Sequence, residues 1–391
     1  MVDEMQLDDI LQFVSEAEPE IRSAEDILLA NLVLLGEIPA SGYDESDRAH
    51  MLMRRFIECR LQDVHTDDCG NAWGLVAGRS TTRNLMVCAH LDTIFGPEVD
   101  HTVGVGTDCL SGPGMADNSL GVAALATLPT LLDRLDLQLR SNLVLLGDVK
   151  SLGRGNLEGM RFAMDRLSRP LQGAVCVEGV GLGRLSFNSV EMVRGEITCD
   201  AHDPATGQPR ESGNAILVLN KVIAALADTD ELNSDRATIN LGAMQVGGTY
   251  NRVPAEGTLR FEVRSLACGH GQHCIERIRQ VCRSVAAECG VDVALEIIAT
   301  RTVGGLDEEA PLPQAVRRIH ETLTLVTKLE PSVSELAVLA EHRVPAVTVG
   351  LTHGHRINTR SEKLHIRPIA RGLAQLVGIL LYMDRETQDG S

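Results

Sequence analysis

Apolar residues recur at helical spacing through the first 60 residues: Ile27, Leu28, Leu32 and Leu35, then Met51, Met53, Phe56 and Ile57. That spacing predicts helices. From residue 71 the pattern changes to short apolar runs, NAWGLVAG and NLMVCAHLD, bounded by Gly, Arg and Asn in the manner of strands. SLGVAALATLPTLLDRL then reads as a helix, opened by the polar cap signal Asp117-Asn118-Ser119. SNLVLLGDV and GAVCVEG add two further buried strands. Strand and helix alternate, which predicts an α/β unit with a mostly parallel sheet.

Between residues 185 and 201 the pattern becomes alternating, LSFNSVEMVRGEITCDA, and a Gly/Pro-rich stretch follows. A helix over Asn214 to Ala227 comes next, then the strands ATINLGAMQVGG and GTLRFEVRS, a long helix from Gln272 to Cys289, and the strand VDVALEIIAT. After TVGGLDEEAPLP the first style resumes, with a helix, the strand PAVTVGL and a terminal helix. The expected division is therefore a catalytic-type domain split over 1–185 and 301–391, with a compact α+β domain, 186–300, inserted in it.

Composition narrows the partners. Acidic side chains number 54 against 36 basic ones, a net charge of −18, and no basic block is present. Polyanion binding needs clustered Lys and Arg, so nucleic acid is not expected. No run reaches the roughly 18 apolar residues of a membrane span. The opening MVDEMQLDDILQFVSEAEPE is acidic where a secretory leader is basic and then apolar, so the expectation is a cytoplasmic protein without a membrane partner. The ten cysteines are scattered, and none forms a CxxC pair. Cys88 and Cys176 sit inside apolar runs, where a thiol acts as a small core residue. Free thiols are expected.

Candidate chemistry begins where NLMVCAHLDT ends. His90 and Asp92 fall just beyond the carboxyl end of a predicted strand, the place where open parallel sheets bind ligands. His90 can ligate a metal while Asp92 orients its ring; a plain polar pair at a strand end is the simpler reading. Asp117, in the Gly-rich turn GPGMADNSLGVAAL, reads equally as a helix N-cap. The ordered combination is more specific than either part.

These segments resemble the zinc-dependent aminoacylase, carboxypeptidase-G and peptidase-T-like family, which includes acetylornithine deacetylase and succinyl-diaminopimelate desuccinylase. The resemblance runs nearly end to end. DDCGNAWGLVAG, VCAHLDT, GPGMADNSLGVAAL, VLLGDVKSLGRGNLEGM, VCVEG, ATINLGAMQVGGTYNRVPAEGTLRFEVRS and VPAVTVGL…INTRSEKLHI match family segments in order. It implies a two-zinc amidohydrolase with an inserted lid and dimerisation domain. One metal position is retained, as His90, the bridging Asp117 and Glu178, with Asp92 supporting His90. The other is not. Where the family has consecutive glutamates, a general base and a ligand, this chain has Ser151 and Leu152, and where it has a ligand His before Thr359 this chain has Asn358. Leu cannot bind a cation and Asn is a feeble zinc ligand. In the lid, Asn251 and Arg264 match the residues that hold a substrate carboxylate, though Arg264 reads equally as a tie for sheet or lid geometry, and His202 matches the lid His that steadies the oxyanion in a partner subunit's site.

The resulting expectation is a homodimer that binds a small carboxylate-bearing amide or peptide-like compound. It would hold one zinc ion at most, or none, and its hydrolysis would be altered or lost. Two alternatives stand beside it. In one, an active hydrolase rebuilds the lost metal position from a shifted carboxylate such as Asp148 or from His353 or His355. In the other, the protein is a non-catalytic binding or scaffolding protein. A Ser151–Lys150 nucleophile is disfavoured because adjacent side chains point apart. The cluster Cys268, His270, His273 and Cys274 resembles a metal knuckle but fits no common zinc spacing, so an ordinary helix start is the expected reading.

Overall fold

The computed structural model describes residues 5–385 except 81, 204, 209, 211, 212, 230, 231, 233–236 and 266–268. The chain divides into two compact units, residues 1–188 with 304–391, and residues 189–303.

The larger unit is built on an eight-stranded sheet in the order Gln62–Thr66, Ala72–Val76, Asn142–Asp148, Asn84–His90, Gly173–Val180, Ala346–Thr352, Arg184–Ser186, Lys328–Leu329. Its four middle strands run parallel. They are apolar on both faces because helices cover both. The odd-numbered residues Leu85, Val87, Leu143, Leu145, Val175, Val177, Val347 and Val349 pack with the helices Leu120–Arg134 and Ile369–Asp384. The even-numbered series Met86, Cys88, Leu146, Ala174 and Cys176 packs with Glu158–Arg166 and Glu335–Glu341. Asp148, His90 and Glu178 extend that even series to the carboxyl ends of three neighbouring strands, and His90 lies directly opposite Asp148 in register.

The smaller unit is a four-stranded antiparallel sheet, ordered Ala237–Val246, Glu256–Ser265, Glu191–Asp200, Asp292–Arg301. Two helices supply its core. Ala215–Ala227 contributes Ala215, Val218, Leu219, Val222 and Leu226, and His270–Cys289 contributes Cys274, Ile278, Val281, Cys282 and Val285, both sets at the spacing of one helical face.

Some local features differ from the sequence expectation. Asp117 caps no helix: its backbone is non-helical (φ −132°, ψ 86°), and the helix begins at Leu120. Ser119 donates its hydroxyl to Gly114 O at 2.7 Å and makes no cap bond either. A small sheet of two- and three-residue strands, Gly104–Val105, Cys109–Ser111, Lys363–His365 and Gly354–His355, has no periodicity that a sequence reading could detect. His270 begins a 20-residue helix in which Cys274 is fully buried, whereas Cys268 lies outside the described residues. Among the described residues no helix is long and apolar enough to cross a membrane.

Candidate metal centre

Beyond the end of its strand the chain is tied down on both sides. Leu91 N–H donates to Asp148 O at 2.6 Å, and Thr93 N–H donates to Ala40 O at 2.7 Å. The fully buried Arg48 donates to Leu91 O at 2.9 Å and, through two nitrogens, to Ile38 O. Burial pulls the Arg48 guanidinium down to about 10, while Asp92 and Glu45 favour its charge.

Held in this way, Asp92 faces His90. The Nδ1 of His90 lies 2.9 Å from Asp92 O and 3.4 Å from Asp92 Oδ1, which leaves Nε2 pointing to Asp117 Oδ1 at 3.0 Å. Glu178 completes the group: one donor atom from each of His90, Asp117 and Glu178 lies within 4.8 Å of the others. One nitrogen and two carboxylates are a normal set for a divalent cation such as zinc, with a coordination position left open. The residues present therefore fit one cation.

The electrostatics agree. Burial alone would lower the His90 pKa, but the hydrogen bonds and charges of Asp117 and Asp92 outweigh it and hold His90 well above its ordinary value. Burial pushes Glu178 up to about 7, with His90 opposing and Asp117 adding to the rise. Burial also acts to raise Asp117, but the bond and charge of His90, helped by Arg184, hold it below the ordinary range.

Asp117 reaches Glu178 because its turn lies on the Gly173–Val180 strand at van der Waals distance. Asn118 donates to Val177 O at 2.7 Å. A Cβ on Gly179 would come 2.5 Å from Ala116 O, and one on Gly121 would come 2.6 Å from Val177 O. Gly179→Ala is accordingly expected to cost about 1–3 kcal/mol in urea unfolding and to weaken divalent-metal binding by moving Asp117 off Glu178. A variant with wild-type unfolding and metal affinity would contradict this packing account.

The positions expected to be degraded lie beside this group. Leu152 N–H donates to Asp92 Oδ2 at 2.7 Å. Glu362, fully buried, accepts from Ala116 N–H at 2.8 Å and from Asn358 N–H at 2.7 Å, so it ties the Asn358 loop to the turn that carries Asp117. Burial raises the Glu362 carboxyl to about 7. Leu152 and Asn358 are thus tied by their backbone N–H groups to Asp92 and to the Glu362 carboxylate that also holds the turn of Asp117, and neither offers a carboxylate or imidazole donor. Ser151, 5% exposed, is not a free nucleophile: it donates to Asp148 Oδ1 at 2.7 Å, while Lys150 pairs with Glu158 at 3.2 Å. Asp148 is fully buried, its Oδ2 has no hydrogen-bond partner, and burial with the nearby Glu335 charge holds its carboxyl well above the usual range.

The other expected residues have their own local partners. His355 Nε2 is 2.8 Å from His365 Nε2, and His365 Nδ1 is 3.7 Å from Cys109 Sγ, all within the small sheet. In the smaller unit, His202 Nδ1 is 2.8 Å from Asp200 Oδ1 and 3.5 Å from Glu256 Oε1. Arg264 pairs with Glu262 at 2.6 Å, and Asn251 is exposed in a turn. The sequence reading did not single out Arg48, Arg184 or Glu362; an Arg inside an amphipathic helix, or a Glu beyond a loop, carries no signal without its partners.

Residues 191–288 match the family model described as the peptidase dimerisation domain. The chain is similar to a dinuclear metal-binding peptidase of the M20 family from Bacillus subtilis, with a TM-score of 0.61 and 14% identity over 92% of this chain and 98% of that one. The chain has the M20 metallopeptidase fold. Two curated relatives match over shorter stretches. An indole-3-acetyl-aspartic acid hydrolase from Enterobacter agglomerans is 29% identical over 136 residues, 35% of this chain and 30% of that protein. One of the subunits of the p-aminobenzoyl-glutamate hydrolase of Escherichia coli (strain K12) is 26% identical over 142 residues, 35% of this chain and 31% of that protein. The match thus spans under a third of either relative's length.

Proposed function

We propose that this chain is a homodimeric amidohydrolase-like protein that holds one zinc ion through His90, Asp117 and Glu178 and binds a small amide bearing a carboxylate. The convergence of those three donors within 4.8 Å carries the reading. The two curated relatives are named for compounds that join an acyl group to an acidic amino acid, which favours the same ligand class.

His90, Asp117 and Glu178 would hold the cation, which when bound would supply Lewis-acid polarisation of an amide carbonyl. What the protein adds is orientation: Asp92 fixes the His90 ring through Nδ1 and so directs Nε2 into the site. What it lacks is a base. Ser151 and Leu152 stand where the family resemblance places the base and a ligand, and a general base typically contributes about 10²–10⁴-fold. Hydrolysis is therefore reduced by at least that factor or lost. Roles for Asn251 and Arg264 in holding the carboxylate, and for His202 in steadying an oxyanion, rest on the resemblance, as do the 186–300 lid assignment and a cytoplasmic setting.

Zinc titration of the purified chain tests the reading. At most one equivalent is expected to bind, and the triple variant Ser151→Glu, Leu152→Glu, Asn358→His is expected to bind a second and to gain hydrolysis of N-acyl amino acids. Two tight equivalents in the unaltered chain would overturn it, as would efficient wild-type hydrolysis that disappears in His90→Ala.

A further inference from the structure

The larger unit contains a cavity of about 520 Å³ beside the carboxyl ends of the Gly173–Val180 and Ala346–Thr352 strands. It is separate in composition from the metal cluster: none of His90, Asp92, Asp117 or Glu178 lines it. Its position follows from local bonding. Leu182, just after the Glu178 strand, donates its N–H to Thr352 O at 3.0 Å, and His353 follows Thr352 directly. The chain returns at Arg367 and Arg371, on either side of the start of the helix Ile369–Asp384, and Lys328 comes from the edge strand.

The sign of the charge is the reverse of the protein's. In a chain of net charge −18, this cavity is lined by Lys328, His353, Arg367 and Arg371 and by no Asp or Glu. Arg367 has Asp108 at 3.0 Å, but on the open surface, with 83% and 57% of the two side chains exposed. Among the described residues no carboxylate pairs with Lys328 or Arg371. Burial, and after it the charges of Lys328, His365, His355 and Arg371, lower the His353 pKa. Lys328 and Arg371, gathered with no paired carboxylate beside the exposed Arg367–Asp108 pair, raise the free energy of the empty site, and an anion would relieve it. Leu325, Val326 and Pro368 supply an apolar wall, and Val326 is 77% exposed although apolar. The volume falls within the range of small-molecule sites.

We propose that this cavity is a binding site for a small organic oxyanion, an anionic head of carboxylate or phosphate type on a short apolar or aromatic body, held by Lys328, Arg367 and Arg371 with His353. The Arg forks suit either head. Leu325 and Val326 take the body. This site is independent of the proposed metal chemistry, so failure of one reading leaves the other standing.

Isothermal titration of the full chain with phenyl phosphate, benzoate, inorganic phosphate and neutral benzyl alcohol tests it. Phenyl phosphate and benzoate are the two head types; the stronger of them identifies the head. Both are expected to bind more tightly than inorganic phosphate, and benzyl alcohol not at all. Binding should weaken several-fold between 50 and 200 mM salt, since exposed charges are screened over about 10 Å. Lys328→Ala and Arg371→Ala should each weaken it, and the double variant by about tenfold or more, equivalent to roughly 1.4 kcal/mol. Should Arg371→Ala perturb the helix start, shown by a lowered melting temperature, Lys328→Ala on its two-residue strand still decides. No binding of either aromatic anion, unchanged affinity in Lys328→Ala, or binding that is lost in His90→Ala but kept in the cavity variants would overturn the proposal.

Discussion

Replacing His90 with Ala is expected to abolish tight divalent-metal binding by the whole chain, read as zinc retained against a competing chelator. The ring supplies the only nitrogen of the three-donor group, and its Nε2 already points at Asp117 Oδ1 at 3.0 Å. Asp92→Asn should have a smaller effect, about 10–100-fold in affinity, because Asp92 acts on the ring and is not itself a donor of the group. The ordering is the informative part. His90→Ala and Asp117→Asn should lie at one extreme, Asp92→Asn between, and Ser151→Ala near the wild type, since Ser151 bonds Asp148 and not the donors. Equal losses in Ser151→Ala and His90→Ala would move the metal to Asp148 and remove the three-donor assignment.

Arg48→Ala is expected to be the most destabilising single change in the larger unit, by about 3–5 kcal/mol, the scale of breaking a buried charge network by removing one partner. The buried Leu91 O and the part-buried Ile38 O would lose their donors, and an orphaned buried acceptor costs about 1–3 kcal/mol. The charges of Asp92 and Glu45, which Arg48 balances, would be left uncompensated in the interior. Against a typical total stability of about 5–15 kcal/mol, such a loss shifts the urea midpoint far downward. Arg48→Lys should recover part of it, since one ammonium cannot span both carbonyls as the guanidinium does. A loss below about 1 kcal/mol in Arg48→Ala would show that the residue is replaceable and that Leu91 is positioned by its bond to Asp148 alone.

Strand and helix order was legible in the chain because burial on two faces leaves unmistakable apolar runs such as NLMVCAH and NLVLLGD. The helices of the smaller unit were legible for the complementary reason, one apolar stripe at helical spacing. Of the candidate centre, His90, Asp92, Asp117 and Glu178 were recognisable from ordered motifs, and the mismatch at Ser151, Leu152 and Asn358 was visible as residue type alone.

Whether those residues meet is a matter of tertiary structure. His90 and Glu178 come together because their strands run parallel with Cys88 opposite Cys176. Asp117 joins them only because glycines at 121 and 179 let its turn rest on the strand, a contact that no local pattern encodes. The same holds for Arg48, which reads in sequence as one more charged residue of an amphipathic helix, and for Lys328 and Arg371, which are 43 positions apart and face one cavity. Sequence determines which side chains can bury and which chemistry is present, since those depend on residue type and short-range period. Packing decides which charges lose their water and which neighbours replace it, because that depends on segments the chain brings together from far apart.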